Sequence, residues 1–440
     1  MRQSVMGVLS VNGEVLFVRR QNFLNVFPGY TSFPGGKVDK TDISCSENLQ
    51  QFDEDQKLLK TLERELQEEL KIDLSELVES GIVQNVERLA KAITPEFNPV
   101  RFENHYFLIT LKEKIQVSPL EDEIKECFWN SPSLFLKEYQ NDEHLVVPPM
   151  LTLMSNLDSG IKALPFDLDK KYDLKNKIPS ITPVSSVEQF LPYSNTFPPA
   201  NRTNCFLLKG DKVVLVDPSP KSDEECEKLI NSIKDEQIDF IFLTHHHPDH
   251  HEYAPKIARK FNVSCGMSED THQRISEKWG ANYFDKVPVD IYQEGDTLTQ
   301  INNQKILLLA TPGHDEGQLS IYPENLKWMI VSDLIQTVGT VVIQSPEGNM
   351  TKYFDSLERV IQMNPKVVIP SHGIAMGGVD KLKVTLEHRR MREKQIKELW
   401  FSGKNEEQIL NNVYEGLEEK LIPYAKRTIS AHLEKIKSEN

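Results

Sequence analysis

Nothing in this chain reads as a membrane anchor or a disulfide scaffold. No apolar run approaches the about 20 residues that a spanning helix needs. The opening Met1-Arg2-Gln3-Ser4-Val5 runs straight into a strand pattern, without the features of a secretory leader. Cysteine is scarce and scattered. Cys45, Cys127, Cys205, Cys226 and Cys265 are odd in number and show no CxxC spacing, so free thiols and a cytoplasmic-type compartment are expected. Positive charge is in deficit: 51 Lys and Arg stand against 66 Asp and Glu, a net charge of −15. That is a poor start for a protein that coats nucleic acid. The deficit is uneven, because from Lys381 onward 13 basic residues outnumber 10 acidic ones. Over 440 residues, 39% hydrophobic and 27% charged content is enough for packed cores in two or three domains.

What the chain does have is concentrated histidine. Thr244-His245-His246-His247-Pro248-Asp249-His250-His251 follows the apolar run Ile238 to Leu243, which reads as a buried strand. On an extended backbone His245 and His247, two apart, point the same way. Neutral imidazoles with a carboxylate suit Zn²⁺; a metal-free histidine-rich surface loop is the bland alternative. Three further pieces each follow a short apolar run. They are Thr311-Pro312-Gly313-His314, Ser332-Asp333 and Pro370-Ser371-His372-Gly373.

This order, HxHxDH, then PGH, then an aspartate, then a final histidine, resembles the metallo-β-lactamase superfamily over about residues 185 to 375. The resemblance implies that His245, His247 and His314 hold one metal. Asp249, His250 and His372 would hold a second, and Asp333 would bridge the two. Asp249 is also the candidate catalytic carboxylate of this half. Two metals about 4 Å apart can share a hydroxide, lower its pKa and clamp a developing oxyanion. Zn²⁺ is the expected metal, and Fe or Mn suits similar ligands. His251-Glu252-Tyr253 stands where the family often has two glycines, and Ser371 replaces a common glycine; neither removes a ligand. His246 and His251 match no ligand position and are assigned supporting or solvent-facing roles.

The first part of the chain carries a different pattern. Val5 to Ser10 and Val15 to Arg19 read as strands around Asn12-Gly13. Phe33-Pro34-Gly35-Gly36 follows, and Lys57 to Leu70 is helical by composition. Glu65, Glu68 and Glu69 share one face of that helix at i, i+3 and i+4. Three like charges there repel unless a cation sits among them, and Mg²⁺ is the natural hard cation; a solvated acidic face is the alternative. The Gly-Gly, gap and Arg64-Glu65-Leu66-Gln67-Glu68-Glu69 set resembles the Nudix box of hydrolases that split nucleoside diphosphates linked to another group. The resemblance makes Glu65 and Glu68 candidate catalytic residues and Glu65, Glu68 and Glu69 candidate Mg²⁺ ligands. Lys71 stands where the box has glycine, and an insertion splits it. Asp42 fits the first acid counted from Gly36, whereas Gln56 occupies that place counted back from Arg64. The run Gly29 to Gly36 is similar to an element of coenzyme A diphosphatases.

The expected architecture is therefore α/β and α+β. A Nudix-like α/β/α domain (1–165) leads through a linker (166–180) to an αββα metallo-β-lactamase sandwich (181–378) and a helical, winged-helix-like tail (379–440). The tail is similar to that of the β-lactamase-like endoribonuclease and thioesterase branch; a helix pair that merely buttresses the site is the alternative. The expected activity is metal-dependent hydrolysis of a small ester or thioester, with a nucleotide or coenzyme A conjugate cleaved or bound by the first half. Single-stranded RNA is a second substrate class, supported only by Arg389, Arg390 and Arg392 in the tail. A metal-stabilised binding scaffold is the non-enzymatic alternative.

Overall fold

The computed structural model describes residues 1–98, 100–160 and 164–439. Contacts divide the chain into two compact units: Met1–Tyr172 with Ile181–Ser185, and Asp173–Ser180 with Ser186–Asn440. The stretch expected as a linker is shared between the units, and the tail belongs to the second unit.

In the first unit the strands Arg2–Val11 and Glu14–Arg20 pair antiparallel, Ser10 opposite Val15. Asn12 and Gly13 both take positive φ, as a tight two-residue hairpin turn requires. Phe102–Leu111 lies parallel to the first strand and antiparallel to Val83–Ile93. The helix Gln56–Leu70 is capped by Asp55, whose carboxylate accepts from the amides of Lys57 and Leu58. It ends at Lys71 in the left-handed conformation, so lysine occupies a backbone geometry that normally favours glycine. Leu58, Leu59, Leu62, Leu66 and Leu70 bury one stripe of this helix against Val5, Leu9 and Ile109.

The second unit is built on two sheets. In one, the strands Val213–Val216, Phe240–Phe242, Ser264–Met267 and Val289–Ile291 run parallel. Helices Asp223–Ile233, Ala254–Phe261 and Glu269–Trp279 make the crossovers. Side chains of all three helices share one core with the sheet, among them Leu229, Ile257 and Ile275. The other sheet runs from Thr297–Ile301 through Gln304–Ala310, Leu319–Pro323, Met329–Ser332 and Val367–Pro370 to Met376–Gly377. Helices Met350–Met363 and Asp380–Phe401 cover it through Tyr353, Leu357, Leu382 and Leu386. Gly210, at the tip of the hairpin between Cys205–Lys209 and Val213–Val216, brings the sheets together: a Cβ there would stand 2.2 Å from the carbonyl oxygen of Gln300.

The tail consists of the helices Asp380–Phe401, Glu406–Val413 and Ile422–Ser438. Among the described residues no strand follows Gly377. Its inner faces close on their own cluster around Ile396, Ile409 and Ile429.

Candidate metal centre

The histidine-rich segment leaves the carboxyl end of Phe240–Phe242, where open parallel sheets place their ligands. The chain does not stay extended. It bends through residues 244–246, and Pro248 starts a short helix that ends at His251. Even so, His245 and His247 face one point: Nε2 of His245 lies 2.9 Å from Nδ1 of His247. Nε2 of His314 stands 2.9 Å from the same atom. His314 follows Gly313, whose φ of 131° and contact with the Tyr353 backbone leave no room for a side chain.

Asp333 lies beside this trio. Its Oδ2 is 3.4 Å from Nε2 of His314, 3.4 Å from Nε2 of His372 and 3.8 Å from Nε2 of His250. Asp249 Oδ2 stands 3.5 Å from His372 Nε2 and 3.8 Å from His250 Nε2. All seven side chains that the motifs pick out therefore meet in one place. Their donor atoms form the groups His245, His247, His314 and Asp249, His250, His372, and Asp333 also groups with His245 and His250.

The outer ring nitrogens explain the orientation of these imidazoles. His314 Nδ1 donates to Val342 O at 2.8 Å, and His372 Nδ1 to Arg202 O at 2.8 Å. His250 Nδ1 donates to Asp217 Oδ2 at 2.8 Å. His245 Nδ1 meets the Thr244 hydroxyl at 3.1 Å. Each carbonyl or carboxylate partner fixes the tautomer, so in the neutral ring the inward nitrogen carries the lone pair. Lone pairs 2.9 Å apart repel unless a cation or a proton lies between them. His250 Nε2 and Asp333 Oδ1 are buried without a hydrogen-bond partner, which is costly for a site with nothing to bind. The donors fit divalent cations.

Charge is divided unevenly across this pocket. Burial, together with neighbouring His250 and His247, holds His245 well below the usual imidazole range. Against burial, Asp333 and Asp249 raise His372 to about 9. Metal uptake should thus displace protons from the His250–His372 side.

Sequence reasoning missed the groups behind the ligands. Asp217 is fully buried, takes a left-handed backbone (φ 49°), and accepts from the Thr244 amide, the Thr244 hydroxyl and His250. Asp217→Asn should leave the fold intact and lower metal affinity by about 10- to 100-fold, read by chelator competition; unchanged affinity would remove its role. His246 and His251 do not face solvent. His246 is buried between Asp315 and Glu347. His251 is buried against Trp279 and bonds the Tyr283 hydroxyl at 2.8 Å. Glu347 also lies 3.4 Å from His247 Nε2. The signal that could have found Asp217 was its place after the neighbouring parallel strand; nothing local marks Asp315 or Glu347.

The carboxylates of the first unit are arranged differently. Among the described residues every group of three ligand-type side chains with donors within 4.8 Å of one another belongs to the second unit. The cation among Glu65, Glu68 and Glu69 is Arg64, which bonds Glu65 at 2.8 Å and Glu68 at 3.1 Å. Arg64 also grips Asp42 through Nε and a terminal nitrogen, both at 3.0 Å. Against desolvation, these bonds hold the buried Asp42 near 2. Counting from Gly36 thus finds the acid that partners Arg64; Gln56 instead bonds the Cys45 thiol. Glu69 turns inward, accepts the Gly35 amide at 2.7 Å and is pushed up to about 8 by burial and by Glu65 and Glu123. Glu68 is exposed. A Cβ on Gly36 would stand 2.4 Å from the Glu65 carboxylate, so a side chain there would displace that carboxylate from its present place.

The tail arginines do not form a basic strip. Arg389 is buried, and Arg392 spends its guanidinium on Gln395, the Val413 carbonyl and the Tyr414 ring. Arg390 reaches solvent, paired with Glu358.

The family described as the Metallo-beta-lactamase superfamily matches residues 198–372, and the NUDIX domain family matches residues 1–148. The chain is 26% identical over 280 residues to a Beta-lactamase-like protein 2 homolog of Drosophila melanogaster, covering 60% of this chain and 91% of that protein. It is 24% identical over 171 residues to a hydroxyacylglutathione hydrolase of Bdellovibrio bacteriovorus, 37% of this chain and 60% of that one. A beta-lactamase domain protein from Burkholderia ambifaria shares the fold at 18% identity with a TM-score of 0.52, covering 61% of this chain and 90% of its own. This fold implies divalent metal ions, and both matched families are hydrolases. With the His/Asp cluster already in place, these matches lead to one conclusion: residues 198–372 belong to the metallo-β-lactamase superfamily of hydrolases, and residues 1–148 are a NUDIX domain.

Proposed function

We propose that the second unit hydrolyses a small-molecule thioester or ester with two metal ions, most simply Zn²⁺. His245, His247 and His314 hold one, Asp249, His250 and His372 hold the other, and Asp333 serves both. The observation that carries this reading is the convergence of inward imidazole nitrogens and two carboxylates, with the outer ring nitrogens already engaged. When bound, such a pair supplies Lewis acidity and lowers the pKa of a water to near neutrality. The chain's own residues fix the ring tautomers, keep the outer faces of the rings dry and place Asp249 beside His372.

A small acyl substrate is favoured over RNA by the net charge of −15 and by the engagement of Arg389 and Arg392 inside the fold. The likeness to a hydroxyacylglutathione hydrolase points the same way. We assign the first unit a nucleoside-diphosphate or coenzyme A conjugate, with Mg²⁺ taken by Glu65, Glu68 and Glu69. The raised Glu69 beside Glu65 and Glu123 is the feature that suits a cation there. All five cysteines are free, which fits a reducing, cytoplasmic-type compartment.

Purified protein should be tested on thioesters, RNA oligomers and nucleotide conjugates, with His247→Ala as the blank for the second unit and Glu68→Gln for the first. Thioester hydrolysis should vanish only in the first variant and respond weakly to salt. Cleavage of RNA that falls steeply with salt would replace the acyl reading.

A further inference from the structure

The tail helix Asp380–Phe401 carries a buried cation with no carboxylate partner. Arg389 is 4% exposed, and among the described residues no acidic group forms an ion pair with it. A guanidinium taken out of water is costly unless its donors are used. Arg389 uses them on the Val341 carbonyl and lies over the Tyr353 ring, 5.7 Å from its centroid. The next carbonyl, Val342 O, is the one that accepts from His314 Nδ1. The Tyr353 backbone packs on Gly313, beside His314, where a Cβ would stand 2.3 Å from Tyr353 N. The Tyr353 hydroxyl donates to Leu334 O, next to Asp333, at 2.8 Å.

Resting on the metal-centre reading above, we infer that Arg389 is a positioning residue for the metal centre. It pins the Val341–Val342 segment, so that Val342 O holds the His314 ring with Nε2 inward. Through Tyr353 it braces Gly313, which precedes that ligand, and Leu334, which follows Asp333. The tail therefore serves the centre from beneath and not as a substrate-binding strip. This assigns unequal dependence to the two metal positions: the one served by His314 relies on Val342 O, whereas Asp249, His250 and His372 are held through Thr203, Asp217 and Arg202.

The test is stepwise Co²⁺ affinity by chelator competition on the full chain, with the cobalt absorption bands as a second readout. Arg389→Met should weaken one of the two constants by about 10- to 100-fold. His314→Ala identifies which constant that is, since the constant it retains belongs to the other position. Arg392→Met, on the same helix but bonded within the tail, should leave both constants unchanged. Arg389→Lys keeps a cation and one donor; it should lose part of the same constant and recover part of the band shape.

Unchanged constants in Arg389→Met would overturn the inference. So would equal loss of both constants in Arg389→Met and Arg392→Met, which would make the helix a packing element only. Should the methionine variant not fold, a lysine variant with both constants unchanged would also overturn it. A wild-type chain that takes up no metal is a separate result and would defeat the reading of the site itself.

Discussion

Asp333→Ala should empty both metal positions at once. Oδ2 of this residue stands 3.4 Å from ring nitrogens of His314 and of His372, so one carboxylate faces both ligand groups. It also supplies the negative charge that holds His372 near 9. Without it, Asp249 would be the one carboxylate left among the seven clustered side chains, and a dication would be poorly neutralised at either position. Elemental analysis should show roughly two equivalents in the wild type and well under one in the variant. Hydrolysis by the second unit should fall by roughly a thousandfold or more. His314→Ala, which removes a ligand from one group only, should keep about one equivalent. If Asp333→Ala retained two equivalents, Asp333 would not bridge.

The second large effect belongs to Glu69. Burial raises it from 4.5 to about 8, so between these values the folded chain holds a proton that the unfolded chain has released. The stability linked to that proton is fully present below about 4.5 and is lost as pH rises through about 8. The upper bound on the loss is about 5 kcal/mol, at 1.36 kcal/mol per unit. In Mg²⁺-free buffer the helix Gln56–Leu70 should therefore exchange its amide hydrogens faster at pH 8 than at pH 5, after correction for intrinsic rates. Glu69→Gln keeps an acceptor for the Gly35 amide and should abolish the difference. Added Mg²⁺ should restore protection at pH 8 in the wild type if the carboxylates take it up. Equal protection of the wild type at both pH values would show that Glu69 stays ionised in the folded chain.

The seven clustered side chains were legible because each sits in a short local pattern at a strand end: HxHxDH, PGH, the aspartate after Val331, and the histidine after Ile369. The groups that orient them were not, since Val342 O and Arg202 O are backbone atoms and carry no sequence signature. Asp217 directly follows Val213–Val216 and belongs to none of these patterns. Elements with mixed polarity were also missed. Val83–Ile93 alternates poorly because its outer positions are charged, and Met350–Met363 was passed over although Tyr353, Leu357 and Val360 fall on one face. The tail arginines were misjudged for a physical reason. A basic run reveals charge but not burial, and Arg389 is buried. The sequence also gives no sign that Arg64, adjacent to the three glutamates of the first unit, already pairs with two of them.

The segment between Asp42 and Gln56 that splits the acidic motif is part of the hydrophobic core. Leu49 is fully buried, and Cys45 lies in the same cluster as Leu59 and Leu62. Asn48 is tied to Ser75, and Glu54 accepts the Arg88 amide at 2.7 Å. A shortcut joining Asp42 directly to Gln56 would therefore not simply close the motif up. It would leave a void where a leucine had been, with a penalty of about 2–5 kcal/mol for that side chain alone. The helix that carries Glu65 and Glu69 would be left to settle into the gap. In this chain the interruption has become a structural dependency: the glutamate-bearing helix is packed against residues that the uninterrupted motif never had.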